Sequence, residues 1–411
     1  MATALCRDRV TGGREPMSSP PLTDITVIDF SHIRAGPWCT QILGELGAEV
    51  IKVERPDVGD KTRHSHPEQG GMGVNFIARN RNKKSIVIDL KTVEGVAIAE
   101  GLLADADVLV ENFGPGVLDR LGLGYEHLAA TVNPRLVYTA IRGYGDAGPY
   151  REKKGVDLIM QAEGGLMSVT GPEGGPPTKV GQSIADIGAG LYAIIGTLTA
   201  LHQRERTGRG QKVETNLFGT VVSFMEEYLT MYGITGEDPE PIGNRHQNLV
   251  PLEVFETADG HIALHTPSRQ WPFLVTEVIG DESLLAYSSD RDRIEHYDEI
   301  MAAMRPVMCE RSTAAWIEFF DEHGFPCGPI NRVSDVIEHP QARDRGYVIE
   351  YDDPTVGEVT LHGHPLHFSE AETGIWSGFP SLGQHTDEVL SDRLNLAPAE
   401  IDRLRKAGVV A

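Results

Sequence analysis

The chain has 411 residues, 40% hydrophobic and 24% charged, with a formal net charge of −23. That length suits two domains, and the acidity excludes the basic footprint that non-specific nucleic-acid binding requires. No apolar run of the ~18–20 residues that cross a bilayer is expected, so neither a membrane nor a nucleic-acid partner is anticipated. In chain order, Ile25–Phe30 reads as a buried strand and Ala35–Leu46 as a helix with Pro37 in its first turn. Glu49–Glu54 is the next strand, completing a βαβ unit. Strand Ser85–Asp89, helix Val93–Leu103 and strand Val108–Asn112 form a second unit, and Leu136–Ile141 is a further strand. This alternation predicts an α/β, Rossmann-like large domain with a parallel sheet.

Glycine-rich loops follow at Gly143–Pro149 and Gly171–Pro177, with a predicted helix Val156–Met167 between them. Ile184–Gln203 is a long helix rich in small residues, Val213–Glu214 a strand and Leu217–Tyr232 another helix. Residues 233–250 read as a linker. Beyond them, strands Leu252–Phe255 and His261–Leu264 and helices to about Gly324 predict a smaller α/β domain. Asp335–Ile337 falls in a short helix, Val348–Glu350 and Glu358–His362 pair as strands, and 384–408 is helical. The expected division is a disordered lead over 1–20, a large domain over 21–232, a small domain with its linker over 233–330, and a C-terminal segment over 331–411. The lead mixes Arg7, Asp8, Arg9, Arg14 and Glu15 with Gly and Pro and has no secretory apolar stretch. Four widely spaced cysteines, Cys6, Cys39, Cys309 and Cys327, form no CxxC pair, which points to a reducing, cytoplasmic setting.

Several motifs carry chemistry. Arg34-Ala35-Gly36-Pro37 follows a strand and opens a helix, a place that favours phosphate. Arg55 and the run Arg79, Arg81, Lys83 and Lys84 add positive charge, against the plainer reading of a solvated surface run. The G-x-G-x-x-G fingerprint of dinucleotide dehydrogenases is absent after the first strand. Gly181-Gln-Ser183-Ile-Ala185 resembles a nucleophile elbow, but no strong strand precedes it, and Ser183 reads as a loop residue. His362, His364 and His367 read as a surface or interface group rather than a metal site. Asp157 opens an apolar helix and reads first as a cap. Asp186, among Ile184, Ala185, Ile187, Gly188, Ala189 and Gly190, is evenly a helix cap or a site acid, the small neighbours leaving room for a ligand.

The stretches ITVIDFSHIRAGPWCTQILGELGAEVIKVERPDVGD, KKSIVIDLKTVEG, ADVLVENFGPGVLDRLGLGY, NPRLVYTAIRGYGDAGPY, TGRGQKVE, FPCGPINRVSDVIEHPQARDRG and LGQHTDEVL occur in this order. Together they resemble the family III CoA-transferases, the group that includes formyl-CoA transferase, the carnitine CoA-transferases and the α-methylacyl-CoA racemases. The likeness runs from Pro21 to the C-terminus. It implies an interlocked, ring-like homodimer in which the C-terminal stretch returns to the large domain. It also implies Asp186 as nucleophile, in an Ala-Asp-x-Gly-x-Gly context, and Asp157 as supporting acid where formyl-CoA transferase has Glu. CoA contacts are implied at Arg34, Ala35, Arg55, Ile88, Lys91, Asn112, Phe113, Gly114, Arg120 and Lys154. Arg34 replaces a Gln that positions the acyl group in formyl-CoA transferase, and that enzyme's glycine-rich flap has no match near Gly243–Val250.

The implied chemistry uses CoA and acyl-CoA as substrates, with a carboxylic acid as acceptor and no tightly bound cofactor or metal. The Asp186 carboxylate takes the acyl group as a mixed anhydride and then CoA as a thioester, with backbone N–H groups of the glycine-rich loops as oxyanion donors. Arg34, Arg245 and His246 suggest a dicarboxylate such as succinate. Two other readings stand beside this one. A racemase needs an acid/base pair and carries Gly-His-Asp where this chain has Gly155-Val156-Asp157. A non-catalytic CoA-binding protein would have no use for Asp186.

Overall fold

The computed structural model describes residues 19–411, so all but the last two residues of the expected lead lie outside the described residues. The chain divides into two compact units. The first comprises residues up to Gly164, Gln182–Phe224 and Pro340–Ala411, and the second Gly165–Gly181 and Met225–His339. Residues 165–181, assigned from sequence to the large domain, thus go with the second unit.

The first unit is built on a parallel sheet of six strands: β1 Thr26–Asp29, β2 Glu49–Glu54, β3 Lys83–Val87, β4 Val108–Glu111, β5 Val137–Arg142 and β6 Lys212–Asn216. Their order across the sheet is β3-β2-β1-β4-β5-β6, the doubly wound arrangement in which the strand order reverses between β1 and β4. Helix α1 (Ala35–Glu45) links β1 to β2, and α2 (Val93–Ala104) links β3 to β4. The central strands β1, β2, β4 and β5 are almost wholly buried, as both faces of a parallel sheet are covered there, whereas the edge strand β6 (KVETN) is half-exposed. Val389, Leu390, Ile401, Leu404, Val409 and Val410 of the C-terminal stretch share one core with Ile28, Ile51, Ile86 and Leu109.

Helix α3 (Asp157–Glu163) is shorter than expected because Gly164 and Gly165 end it, Gly165 at φ +89°. Helix α4 spans Ile184–Thr207. By length and composition it could cross a membrane, contrary to the expectation that no segment would. It packs on α1, β5 and β6 and half of its apolar window is buried, the pattern of a core helix. The predicted helix Leu217–Tyr232 is two, α5 (Leu217–Phe224) and α6 (Glu226–Thr235), broken at Met225, where the first unit ends. A hairpin of β7 (Val348–Asp353) and β8 (Gly357–His362) completes the first unit. The second unit has an antiparallel sheet of Leu252–Glu256, His261–His265 and Cys327–Pro329 over a core containing Trp271, Trp316 and Phe320.

The glycines of α4 are there for helix packing. A Cβ on Gly190 would lie 2.8 Å from the Ala35 carbonyl oxygen and 2.9 Å from the Trp38 ring. One on Gly188 would lie 2.5 Å from the Phe224 ring. The room these residues leave is therefore filled by α1 and α5 rather than by a ligand. Replacing Gly190 with Val is expected to push α4 off α1 and cost about 1–3 kcal/mol, read as a lower midpoint in denaturant unfolding.

Candidate active site

The loop leaving β1 rests on buried charge. Asp29 accepts from the Ser31 N–H (2.9 Å) and from Thr40 Oγ1 (2.7 Å), and pairs with Lys83 at 3.0 Å. Burial alone would raise its carboxyl, but Lys83 and Lys52 outweigh that and hold it down at about 2. Lys52, fully buried on β2, donates to the Ser31 carbonyl (2.8 Å) and pairs with Asp60 at 3.2 Å. Asp60 in turn accepts the Ile33 N–H at 3.2 Å. Against the push of burial, Lys52 and the Thr62 donors keep its carboxyl well below the usual carboxylate range. Asn112, just after β4, clamps the loop from the other side. Its Oδ1 accepts the His32 N–H and its Nδ2 donates to the His32 carbonyl, both at 2.8 Å.

These bonds hold Ile33 at φ +71°, a left-handed conformation that is a genuine outlier for a β-branched residue. Its side chain is 55% exposed and lines a cavity of about 360 Å³ with Arg55, Lys61, Ile88, Lys91 and Phe113. This cavity lies at the carboxyl ends of β1 and β4, where open α/β sheets bind ligands. Four of the residues implied as CoA contacts, Arg55, Ile88, Lys91 and Phe113, thus share one wall. The others are placed differently. Ala35 is buried beneath α4 and Asn112 is engaged with His32. Gly114 and Lys154 are exposed. Arg120 lines a second, polar cavity with Arg142, Arg151 and Lys212.

Arg34 caps α1 by position and makes no side-chain cap bond. Gly190 of α4 meets Ala35, and Asp186 lies one turn before Gly190. The first turn of α4 therefore abuts the start of α1 and brings Asp186 beside Arg34. Asp157 is not the cap of its own helix that the sequence suggested. Its Oδ1 accepts the Ala185 N–H (2.8 Å) and its Oδ2 accepts from Gln161 Nε2 (2.7 Å), so it caps α4. Burial and then the Asp157 charge push the Asp186 carboxyl up to about 6, against the opposing pull of Arg34 and Arg79. No hydrogen bond contributes to its state. Ser183 precedes α4 without a side-chain cap bond.

The basic run is not a solvated surface. Arg81 is buried and paired with Glu45 at 2.5 Å, and Lys83 is paired with Asp29. Lys84, half-buried, bridges Glu49 and Glu388. These three serve the fold, and only Arg79 acts on Asp186. Sequence reasoning also missed Lys52 and Asp60. Their one signal is a lysine inside the apolar strand Val50-Ile51-Lys52-Val53. Of the three histidines, His367 is exposed but His362 and His364 are not. His364 donates or accepts at Glu45 (2.9 Å) with its side chain 5% exposed, and His362 lies beside Gln41 and Trp38. No group of three or more metal-ligating residues exists among the described residues. Arg245, in the second unit, is paired with Glu173 at 3.0 Å and stacked over Tyr297, and His246 Nδ1 accepts the Asn248 N–H.

Two outcomes follow from this geometry. Asp60→Asn strips Lys52 of a buried counter-charge and should cost about 3–5 kcal/mol, measured by denaturant unfolding. Asp186→Asn should do the opposite. The raised folded-state carboxyl makes ionisation of Asp186 destabilising, so the variant gains roughly 2 kcal/mol at pH 8 after allowance for partial exposure. That gain should shrink as pH falls through about 6 and vanish below about 4, where both folded and unfolded chains carry the proton.

A profile described as CoA-transferase family III matches residues 22–386. The chain is 35% identical over 397 residues to the succinyl-CoA:glutarate CoA-transferase of Mus musculus, covering 96% of this chain and 91% of that one. It is also 35% identical to the succinyl-CoA–D-citramalate CoA-transferase of Chloroflexus aurantiacus, over 95% of this chain and 98% of that one. The crystal structure of a CaiB/BaiF family protein from Brucella suis superposes with a TM-score of 0.82 at 34% identity, covering 92% of this chain and 100% of that one. A six-stranded parallel sheet, a cavity at its switch point and a half-buried carboxylate at a helix N-terminus thus sit in a chain that belongs to CoA-transferase family III.

Proposed function

We propose that this enzyme exchanges CoA between an acyl-CoA and a dicarboxylate of four or five carbons, with Asp186 as the nucleophile. The observation that carries the reading is the state of that carboxylate. It is ionised at neutral pH yet held by no hydrogen bond, with its pKa near 6, which leaves its oxygens free to attack. The carboxylate adds to the acyl-CoA carbonyl and CoA thiolate leaves, giving a mixed anhydride. The thiolate then attacks the Asp186 carbonyl and releases the first acid, leaving an aspartyl-CoA thioester. An acceptor carboxylate repeats the two steps in reverse. This chemistry needs no metal and no redox cofactor.

The cavity lined by Ile33, Arg55, Ile88, Lys91 and Phe113 suits CoA, with apolar walls for the base and Arg55, Lys61 and Lys91 for phosphate. In this reading Ala35, Asn112 and Gly114 shape the loops around the thioester, Arg120 and Lys154 add charge at the rim, and Asp157 supports Asp186 by capping α4. The names of the murine and Chloroflexus relatives favour dicarboxylates. A racemase would need a proton-transfer group at position 156, where this chain has Val156. Exposed Leu191, Tyr192 and Ile195 on α4 support a homodimer, which we take to be interlocked. The three described cysteines are free thiols, in keeping with a cytoplasmic enzyme.

Incubation with acyl-CoA and hydroxylamine should leave a hydroxamate on Asp186, found by peptide mass spectrometry. The trapping rate should rise with pH through about 6, because only the carboxylate attacks. An unmodified Asp186 under turnover conditions would refute the mechanism.

A further inference from the structure

Three of the four cations between Arg79 and Lys84 are neutralised by carboxylates of the same chain: Arg81 by Glu45, Lys83 by Asp29, and Lys84 by Glu49 and Glu388. Arg79 is not. It is 8% exposed, and its guanidinium donates to the Asn75 carbonyl oxygen (2.9 Å) and to Asn75 Oδ1 (3.3 Å). No carboxylate among the described residues pairs with it. Arg34, half-buried at the start of α1, makes no side-chain cap bond and likewise has no ion-pair partner among the described residues.

A buried guanidinium without a counter-ion is costly, and two beside each other cost more. Burial, then Arg34, lowers the Arg79 pKa to about 10, so Arg79 remains charged at neutral pH. Packing of Gly190 on Ala35 fixes the first turn of α4 against the start of α1. Arg34, Arg79 and Asp186 therefore share one electrostatic neighbourhood, yet neither arginine closes on Asp186 as an ion pair. Asp60 also acts on Arg79 but is already paired with Lys52, and Asp157 is engaged by the Ala185 N–H and Gln161, so of these three acids only Asp186 has no partner.

We propose that Arg79 and Arg34 form a two-arginine cradle for the non-reacting carboxylate of a dicarboxylate substrate, a reading that rests on CoA exchange at Asp186. The charge count over the cycle supports it. When Asp186 carries CoA it is a neutral thioester, and the two arginines lose the one nearby carboxylate that neither an ion pair nor a hydrogen bond engages. A dicarboxylate brings two negative charges at that moment. Its reacting carboxylate loses its charge as its oxygen forms the C–O bond to the Asp186 carbonyl and the C–S bond to CoA breaks. Arginines clamped on that group would resist the attack. The distal carboxylate keeps its charge throughout, so holding it costs the reaction nothing. A monocarboxylate of the same length leaves the cradle unfilled.

The test uses acetyl-CoA as donor, which has no distal carboxylate, and compares glutarate with valerate as acceptors. The wild-type enzyme should prefer glutarate. Arg79→Gln should lower kcat/KM for glutarate by about 100-fold, mostly through KM, with a far smaller change for valerate. Arg79→Lys should lie between, because charge is kept and the fork is lost. If Arg79→Gln does not fold, as judged by circular dichroism, Arg34→Gln should show the same collapse of the glutarate-to-valerate ratio. Equal losses for both acids, or a wild-type enzyme that labels at Asp186 and uses valerate as well as glutarate, overturns the cradle and leaves CoA exchange standing. Absence of labelling in the wild type overturns both.

Discussion

The loop that leaves β1 depends on charges that never meet solvent. Asp29, Lys52, Asp60 and Lys83 lie beneath the end of β1 with side chains fully out of water. Each needs the others, because an unpaired ion there is untenable. Hydrophobic packing alone could not specify the loop, since apolar contacts carry no direction. The ion network does, because Lys52 and Asp60 bond to particular backbone groups, the Ser31 carbonyl and the Ile33 N–H. That is what keeps an isoleucine in a conformation it would otherwise leave. From there, Ile33 faces the cavity at the switch point and the next residue, Arg34, lies within electrostatic reach of Asp186. The network also reaches the C-terminal segment. Glu54 accepts the Asp60 N–H and pairs with Arg63, whose guanidinium donates to the Pro380 carbonyl.

Asp186 shows a balance of opposed forces rather than one dominant one. Its place in the first turn of α4 favours a negative charge, as do Arg34 and Arg79, whereas burial and Asp157 oppose it. The result is an anion present at neutral pH but poorly stabilised, a state suited to attack on a thioester. Asp157 contributes twice. It satisfies the α4 amide that would otherwise be left open, and in doing so it sets a second negative charge near the first.

Much of the fold was readable in the sequence, because the central strands of the parallel sheet carry short apolar runs separated by helical periodicity. Asp186 stood out among small residues, but pattern alone could not decide between cap and nucleophile. The family likeness pointed to the latter. The rest was hidden for physical reasons. Lys52 looks like any strand lysine until its three-dimensional partners, eight residues on at Asp60 and twenty-three back at Asp29, are known. The cations from Arg79 to Lys84 form one block in sequence, yet they diverge to four different surroundings that spacing cannot separate. The glycines of α4 suggest an open space equally well whether a ligand or a neighbouring helix fills it. His362 and His364 lie on a short hairpin whose exposure depends on α1, more than 300 residues earlier.

The first unit is assembled from three separate stretches of chain, and the last of them supplies Val389, Leu390, Ile401, Leu404, Val409 and Val410 to its core. During synthesis, β1 to β6 emerge long before these residues do. The apolar side of Ile28, Ile51 and Leu109, covered in part by Ile98, Leu102 and Leu103, must therefore wait for the rest of its cover while the second unit is made. Met225–His339 is one continuous run, so most of that unit's core is available earlier. The chain that begins the enzyme's main sheet is thus completed last, and the nascent protein passes through a period in which part of that sheet's apolar side lacks its native cover.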